Sequence, residues 1–383
     1  MTNSPLRIPF NIPTLVGAEL EYMAEAISAG HISGDGAFSK RAEQLLSSLL
    51  TSVRVLLTTS CTHALELAAL LLKVGPGDEV IVPSFTFVST INAFALRGAK
   101  PIFADIREDT LNLDETLLEG LITDRTRIIL PVHYGGVGCQ MNAIEKIADD
   151  AGISIVEDNA HGLLGTFRGR PLGSFGVLAT QSFHETKNFT CGEGGALVIN
   201  DESLVERAEI IREKGTNRSQ FFRGQVDKYS WVDVGSSYLP SDLLGAMLLA
   251  QLEQRERIQE RRRAIWERYD AGLCSWAEDQ GIRRPAIPDE CEQTYHLYYL
   301  LLPSLTERTA FIEHLRNRGI LSVFHYVPLH TSAMGRTFGG FAGQCPVSED
   351  LSDRLVRLPF YFSLSEEDQK DVIDAIVNFR CAR

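Results

Sequence analysis

The sequence predicts an α/β protein, a mostly parallel central sheet with flanking helices followed by a smaller α+β domain. Three observations carry this. Between residues 50 and 200, short runs of aliphatic and β-branched residues alternate with helical patterns. Several of those runs are apolar throughout, as strands covered on both faces must be. A chain of 383 residues is also too long for one small core.

In chain order, strands are expected at 54–57, 79–82, 101–104, 127–132, 153–157, 177–183 and 196–199. Residues 64–72 and 143–150 carry the 3.6-residue apolar spacing of helices that cover such a sheet. Residues 216–240 are polar and aromatic without periodicity, and the aromatics favour a functional loop over a disordered one. One long helix is expected over 241–269, apolar at first and charged over 255–263. Its arginines are interleaved with Glu253, Glu256 and Glu260, which reads as a solvated face rather than an anion site. Beyond about residue 275, strands at 295–301 and 321–326 mix with helices at 307–318 and 366–379. The expected division is a large domain over 1–250, with an N-terminal arm over 1–35, and a small domain over 251–383.

Composition narrows the function. Hydrophobic residues make up 44% and charged residues 23%, values of an ordinary globular protein. A net charge of -13, with no basic block, argues against nucleic acid as a partner. Residues 1–13 lack both a basic stretch and an apolar stretch of the signal-peptide kind, and apolar runs such as 65–72 fall short of a membrane span. A cytoplasmic protein without a membrane partner is expected. The seven cysteines include no C-x-x-C pair, so reduced thiols and no metal are expected.

Ligands of parallel sheets gather at the carboxyl ends of strands. Three such ends carry candidate chemistry. After the first strand, Thr58-Thr59-Ser60-Cys61-Thr62 opens a helix, where free N–H groups and the dipole favour phosphate. Serine and threonine also cap ordinary helices, so this segment alone decides nothing. After the fifth strand stands Glu157-Asp158-Asn159-Ala160-His161, and a buried acid there needs either a structural cap contact or a cationic ligand. After the sixth comes Ser182-Phe183-His184-Glu185-Thr186-Lys187-Asn188, then Gly192-Glu193-Gly194-Gly195. The chain has only eight lysines, and Lys187 is the one set between a buried strand and a glycine turn that permits close backbone approach. An ordinary loop lysine would look the same in isolation. Together the three ends offer an amine, an acid and a phosphate cradle, the parts that pyridoxal phosphate requires.

With these motifs the sequence resembles the DegT family of sugar-nucleotide aminotransferases, of the fold-type I group of pyridoxal-phosphate enzymes. The likeness extends from Ile8-Pro9-Phe10 through Gly34-Asp35-Gly36, the segment Pro83 to Thr90, Glu157-Asp158 and the segment Ser182 to Gly195, to Tyr326-Val327-Pro328-Leu329-His330. The resemblance implies that Lys187 is the Schiff-base lysine and Asp158 the partner of the pyridine nitrogen. It implies that Cys61, Thr62 and Ser182 hold the phosphate and that Phe87 stacks on the ring. His161 stands where many relatives have glutamine at the ring hydroxyl, and Ser237 where many have an asparagine that reaches the partner subunit.

Residues 182–188 and 212–224 look most like the branch of the family that forms dTDP-4-amino-4,6-dideoxygalactose. The resemblance thus implies amino transfer from an amino acid, L-glutamate, to dTDP-4-keto-6-deoxyglucose, in a homodimer with the active site at the subunit interface. Arg218, Arg223, His325 and His330 are the substrate-binding candidates, with Lys228 beside them in the same loop. Two alternatives stay open. One is a pyridoxal-phosphate sugar 3-dehydratase, which carries histidine where this chain has Lys187; the other is a non-catalytic cofactor-binding regulator, which would need neither Lys187 nor Asp158 intact. An ordinary amino-acid aminotransferase is a third reading.

Overall fold

The computed structural model describes residues 6–381. Nine strands fill its first half: β1 (Arg54–Thr58), β2 (Glu79–Pro83), β3 (Lys100–Ala104), β4 (Thr126–Ile129), β5 (Ser154–Asp158), β6 (Thr166–Phe167), β7 (Arg170–Pro171), β8 (Leu178–Ser182) and β9 (Gly195–Ile199). Seven of them form one sheet in the order β1-β9-β8-β5-β4-β2-β3. β9 runs antiparallel to both its neighbours, and the other paired strands are parallel. All seven expected strands are therefore present. The fourth is shorter than 127–132 because Pro131 has no N–H to offer a ladder, although its carbonyl still accepts from Asp158 N at 2.9 Å.

The continuous apolar runs have a direct cause. On β1 and β9, Leu56, Leu197 and Ile199 pack into a cluster on one face, with Leu65, Leu67 and Ala68 of the helix Cys61–Leu71. Val55, Leu57, Ala196 and Val198 pack on the other face, with Leu46 and Leu50 of the helix Ala37–Leu50 and with Leu249. Neither face meets water at these positions, so the side chains there are apolar throughout. Each fully buried Leu or Val contributes about 1.5–3 kcal/mol.

A separate cluster forms around the C-terminal segment, where Ile265, Tyr269 and Leu273 of the helix Arg255–Gln280 meet Leu300, Phe311, Val356, Val372 and Ile376. Ile8 of the N-terminal arm joins this cluster and bridges to Ile320. A two-residue strand, β10 (Cys291–Glu292), extends the β6–β7 hairpin, while β11 (Tyr299–Leu301) pairs with β12 (Leu355–Arg357).

Three expected elements differ. The helix over 241–269 is broken at Gln254 into Asp242–Glu253 and Arg255–Gln280, where the N-terminal arm wedges in: Gln251 donates to Thr14 O and Arg257 to Val16 O. The strand over 295–301 is confined to its last three residues, because Tyr295 adopts φ +51 and buried Arg262 takes the carbonyls of Tyr295 and His296 at 3.0 and 2.5 Å. Residues 321–326 make only the single bridge Val323↔Arg357, so His325 and Tyr326 are free to face a cavity.

Candidate active site

The carboxyl ends of β1, β5 and β8 open into a cavity of about 850 Å³, closed on the far side by residues 296–297, 323–327 and Arg357 of the C-terminal segment. Lys187, Asp158, Cys61, Thr62, Phe87, His161, Ser182 and His325 all line it. Strand order explains the convergence: β1, β9, β8 and β5 are successive neighbours, so their ends lie side by side.

One end suits an anion. Ser60 caps the helix Cys61–Leu71, its Oγ accepting from His63 N at 3.1 Å. Cys61 and Thr62, as first helical residues, have no intrahelical acceptor for their N–H groups. Gly195 lets this helix start close onto the sheet, since a Cβ there would lie 2.3 Å from Cys61 N. Burial pushes the Cys61 thiol up to about 12, leaving it an uncharged lining group. Thr62 Oγ1 donates to Ser89 Oγ at 2.9 Å, and Ser182 stands opposite at the end of β8.

The other end carries the acid. Asp158 is 5% exposed, and its carboxylate accepts from Thr90 Oγ1 at 2.8 Å and from Ala160 N at 3.1 Å. Both the structural contact and room for a cation are therefore present, for no ion pair engages this carboxylate among the described residues. Phe87 ends the turn after β2 and keeps 55% of its surface exposed, its ring turned to the cavity.

Lys187 lies between these ends. Its backbone N–H donates to His184 O at 2.9 Å, fixing the turn after β8. Burial above all, with a contribution from Arg357, pushes its amine down to about 8, against the pull of Cys61 and Asp158. An amine so placed is partly neutral near pH 7 and can act as nucleophile or base. A flat, cationic-nitrogen heterocycle with a phosphate tail fits the residues present: N–H donors and hydroxyls at one end, an uncompensated acid at the other, an amine between them.

The histidines divide. His161 is buried and held well below its ordinary pKa by burial, Lys187 and Arg357. Its Nδ1 accepts from Gly135 N at 3.2 Å, which places the proton on Nε2. It stacks on His296 with ring centroids 4.1 Å apart. His325 reaches the cavity with its Nδ1 3.0 Å from the Tyr134 hydroxyl. His330 does not reach it: wholly buried, it contacts Ser84 Oγ at 2.5 Å and Glu349 at 2.8 Å, tying the C-terminal segment to the end of β2. Arg218 pairs with Glu213 at 3.2 Å and Arg223 with Glu209 at 2.7 Å, both outside the cavity of their own chain, as Lys228 and Ser237 are.

Sequence reasoning missed His296, Thr86, Thr90 and Arg357. The two threonines stand four apart in Thr86-Phe87-Val88-Ser89-Thr90, a spacing that places both hydroxyls on one side of the turn and is legible in retrospect. His296 and Arg357 sit in ordinary-looking strand sequence.

A strand-end cavity with this amine, acid and anion cradle, on this sheet, defines a fold-type I pyridoxal-phosphate enzyme. Comparison with known proteins gives its class: the chain belongs to the DegT/DnrJ/EryC1/StrS aminotransferase family, whose model matches residues 13–377. It is 32% identical over 377 residues to the spore coat polysaccharide biosynthesis protein SpsC of Bacillus subtilis, covering 96% of each chain. It is similar to a sugar aminotransferase, Spr1654, of Streptococcus pneumoniae solved in its PMP form, at TM-score 0.90 and 30% identity over 96% of this chain and 98% of that one. It is similar also to DesV of S. venezuelae, solved with a ketimine intermediate, at TM-score 0.88 and 31% identity over 98% of both. The protein is a pyridoxal-phosphate-dependent aminotransferase. Among the described residues no helix is long and apolar enough to cross a membrane.

Proposed function

We propose that the protein moves an amino group from L-glutamate to the 4-keto carbon of a nucleotide-linked 4-keto-6-deoxy sugar. The substrate would be dTDP-4-keto-6-deoxyglucose and the product dTDP-4-amino-4,6-dideoxygalactose, for lipopolysaccharide or another surface glycan. The observation that carries the reading is Lys187, its amine pushed down to about 8 in a cavity it shares with Asp158. The segments 182–188 and 212–224 supply the choice of sugar, by resemblance.

Pyridoxal phosphate, when bound, supplies the carbonyl that carries nitrogen and the electron sink. The N–H groups of Cys61 and Thr62, with the Ser182 hydroxyl, hold its phosphate. Asp158 would hold the charge on its ring nitrogen, and Phe87 would pack against it. The neutral imidazole of His161 would offer Nε2–H to it as a donor. Lys187 would anchor it, and its amine would carry a proton to and from the substrate carbon.

Lys187 favours amino transfer over dehydration, and with Asp158 it favours an enzyme over a silent regulator. The enzyme is read as a cytoplasmic homodimer, its large domain over 1–250 and its small domain over 251–383. Phe222, Trp231 and Val232 are 70%, 79% and 52% exposed, which suits a loop that meets the partner, and in that dimer Arg218 and Arg223 would serve the neighbouring cavity. The decisive experiment incubates protein, pyridoxal phosphate and L-glutamate with a panel of nucleotide keto-sugars and, in parallel, common 2-oxo acids. An amino-sugar identified by mass and NMR is expected. No amino-sugar from any member, or preferred turnover of 2-oxo acids, would overturn the reading.

A further inference from the structure

Two stacked imidazoles in the cavity carry opposite tautomers. His161 takes the Gly135 N–H on Nδ1, so its proton lies on Nε2. His296, its ring 4.1 Å from that of His161, is fixed the other way by Asn188. The amide nitrogen of Asn188 donates to Thr294 O at 2.8 Å and to Gln259 Oε1 at 3.2 Å. A backbone carbonyl only accepts, so the amide cannot be turned round, and its Oδ1 is the atom 2.8 Å from His296 Nδ1. Nδ1 therefore carries the proton and Nε2 a bare lone pair. That Nε2 makes no hydrogen bond among the described residues and opens on the cavity that His296 lines. His325 is not fixed in this way, because its Nδ1 meets the Tyr134 hydroxyl, which can give or take a proton.

The surroundings limit what the lone pair can do. Burial above all, with His161, Lys187, Arg262 and Arg357 adding to it, holds His296 well below its ordinary pKa. Near pH 7 the ring is neutral, able to accept a hydrogen bond and unable to keep a proton. It stands beside the reacting amine, since its partner Asn188 is the residue after Lys187 and the charge of Lys187 bears on it. The ligands differ in what they could give it. The one donor of pyridoxal phosphate that needs a partner is its ring N–H, which Asp158 would hold. L-Glutamate brings carboxylates besides the amine that reacts, and 2-oxoglutarate brings no donor near neutral pH. A 4-keto-6-deoxy sugar brings hydroxyls. Its reacting carbon lies between C5, which bears the methyl and the ring oxygen, and C3, which bears a hydroxyl.

We propose that His296 Nε2 accepts a hydrogen bond from the 3-hydroxyl of the keto-sugar. His296 thereby selects sugars that keep a hydroxyl next to the carbon to be aminated. The assignment rests on the reading that the amino acceptor is a 4-keto sugar.

The test removes each partner in turn. For the unsubstituted enzyme in its pyridoxamine form, kcat/KM with dTDP-4-keto-3,6-dideoxyglucose is expected about tenfold below that with dTDP-4-keto-6-deoxyglucose. His296→Phe keeps a flat ring against His161 and has no acceptor. It should lose about tenfold on the 3-hydroxy sugar and then treat the two sugars alike within about twofold. His296→Gln should recover part of the preference, because its Oε1 can accept where Nε2 did. In calorimetry, the Kd of unreactive dTDP-6-deoxyglucose should rise about tenfold in His296→Phe. Conversion of the pyridoxal form by L-glutamate should change less than about threefold, since glutamate offers no hydroxyl. A preference for the 3-hydroxyl that survives in His296→Phe would overturn the assignment, as would its absence from the unsubstituted enzyme. An equal loss in the glutamate half-reaction would overturn it too, showing that His296 only packs the Lys187 turn. Failure of the unsubstituted enzyme to aminate any keto-sugar would instead sink the reading on which the assignment rests.

Discussion

Two acids stand side by side on β5 and meet opposite fates. Glu157 is wholly buried behind the sheet, and its carboxylate is saturated: Oε1 accepts from Phe175 N at 2.6 Å and Gly176 N at 2.8 Å, Oε2 from Gly173 N at 2.8 Å and His133 Nε2 at 2.9 Å. His133 accepts from Cys139 N at its other nitrogen, so it is the Nε2–H tautomer and donates. Gly176 makes the arrangement possible, because a Cβ there would lie 2.4 Å from Ile155 O. Asp158, one residue on and therefore on the other face, has two donors and a cavity. The fold consumes the first acid and leaves the second for a ligand. Adjacent identical charges in a sequence thus differ in function according to how many of their lone pairs the backbone occupies.

The sharpest way to break this comparison is to neutralise each acid. Asp158→Asn should lower kcat about a thousandfold, because the charge proposed to keep the ring nitrogen cationic would be gone, while unfolding stability stays within about 1 kcal/mol. Lys187→Ala should abolish turnover and the lysine-bound absorbance band in a protein that remains folded. Glu157→Gln should do the reverse. Its amide would set two donors against backbone donors, costing about 3 kcal/mol in urea unfolding, with kcat of the folded enzyme reduced less than threefold. If both acid substitutions destabilise equally, or both spare kcat, the division of labour is wrong.

How much of this was legible follows the same line. The seven strands were readable because both faces of the sheet are buried, which forces apolar runs such as Val55 to Leu57. Lys187 was readable from its scarcity and its glycine turn. The break at Gln254 was not, since no glycine or proline marks it and its cause lies at Thr14 to Gly17, far along the chain. Arg357 and His296 were invisible for a related reason: which side chains of the C-terminal segment reach the cavity is a property of the packed structure. Arg218 and Arg223 show the converse, arginines that look available in sequence and are engaged by Glu213 and Glu209.

A gentler probe titrates Lys187. With its amine near pKa 8, about a tenth is neutral at pH 7 and about half at pH 8. The neutral form is the nucleophile, so the rate at which apoprotein takes up pyridoxal phosphate should rise about fivefold between those values and level off above pH 9. An amine at its ordinary value would keep accelerating past pH 9, about sevenfold between pH 9 and 10, and such a profile would show that burial does not tune Lys187.

The smallest expected effect concerns what steadies Asp158. Thr90 Oγ1 gives its proton to Asp158 Oδ2, so it must accept from Thr86 Oγ1, 2.9 Å away. The result is a relay of two buried hydroxyls pointing toward one carboxylate. Thr90→Val keeps the volume, removes the donor to the acid and leaves the Thr86 hydroxyl without its acceptor. A hydrogen bond to a charged group contributes about 1.5–3 kcal/mol, and re-aimed neighbours recover part of it, so a loss of about tenfold in kcat/KM is expected. Thr90→Ser should restore most of it, since the hydroxyl returns while the methyl does not. Were Ser as impaired as Val, the methyl's packing rather than the relay would be what holds Asp158 in place, and the contrast with Glu157 would narrow to geometry alone.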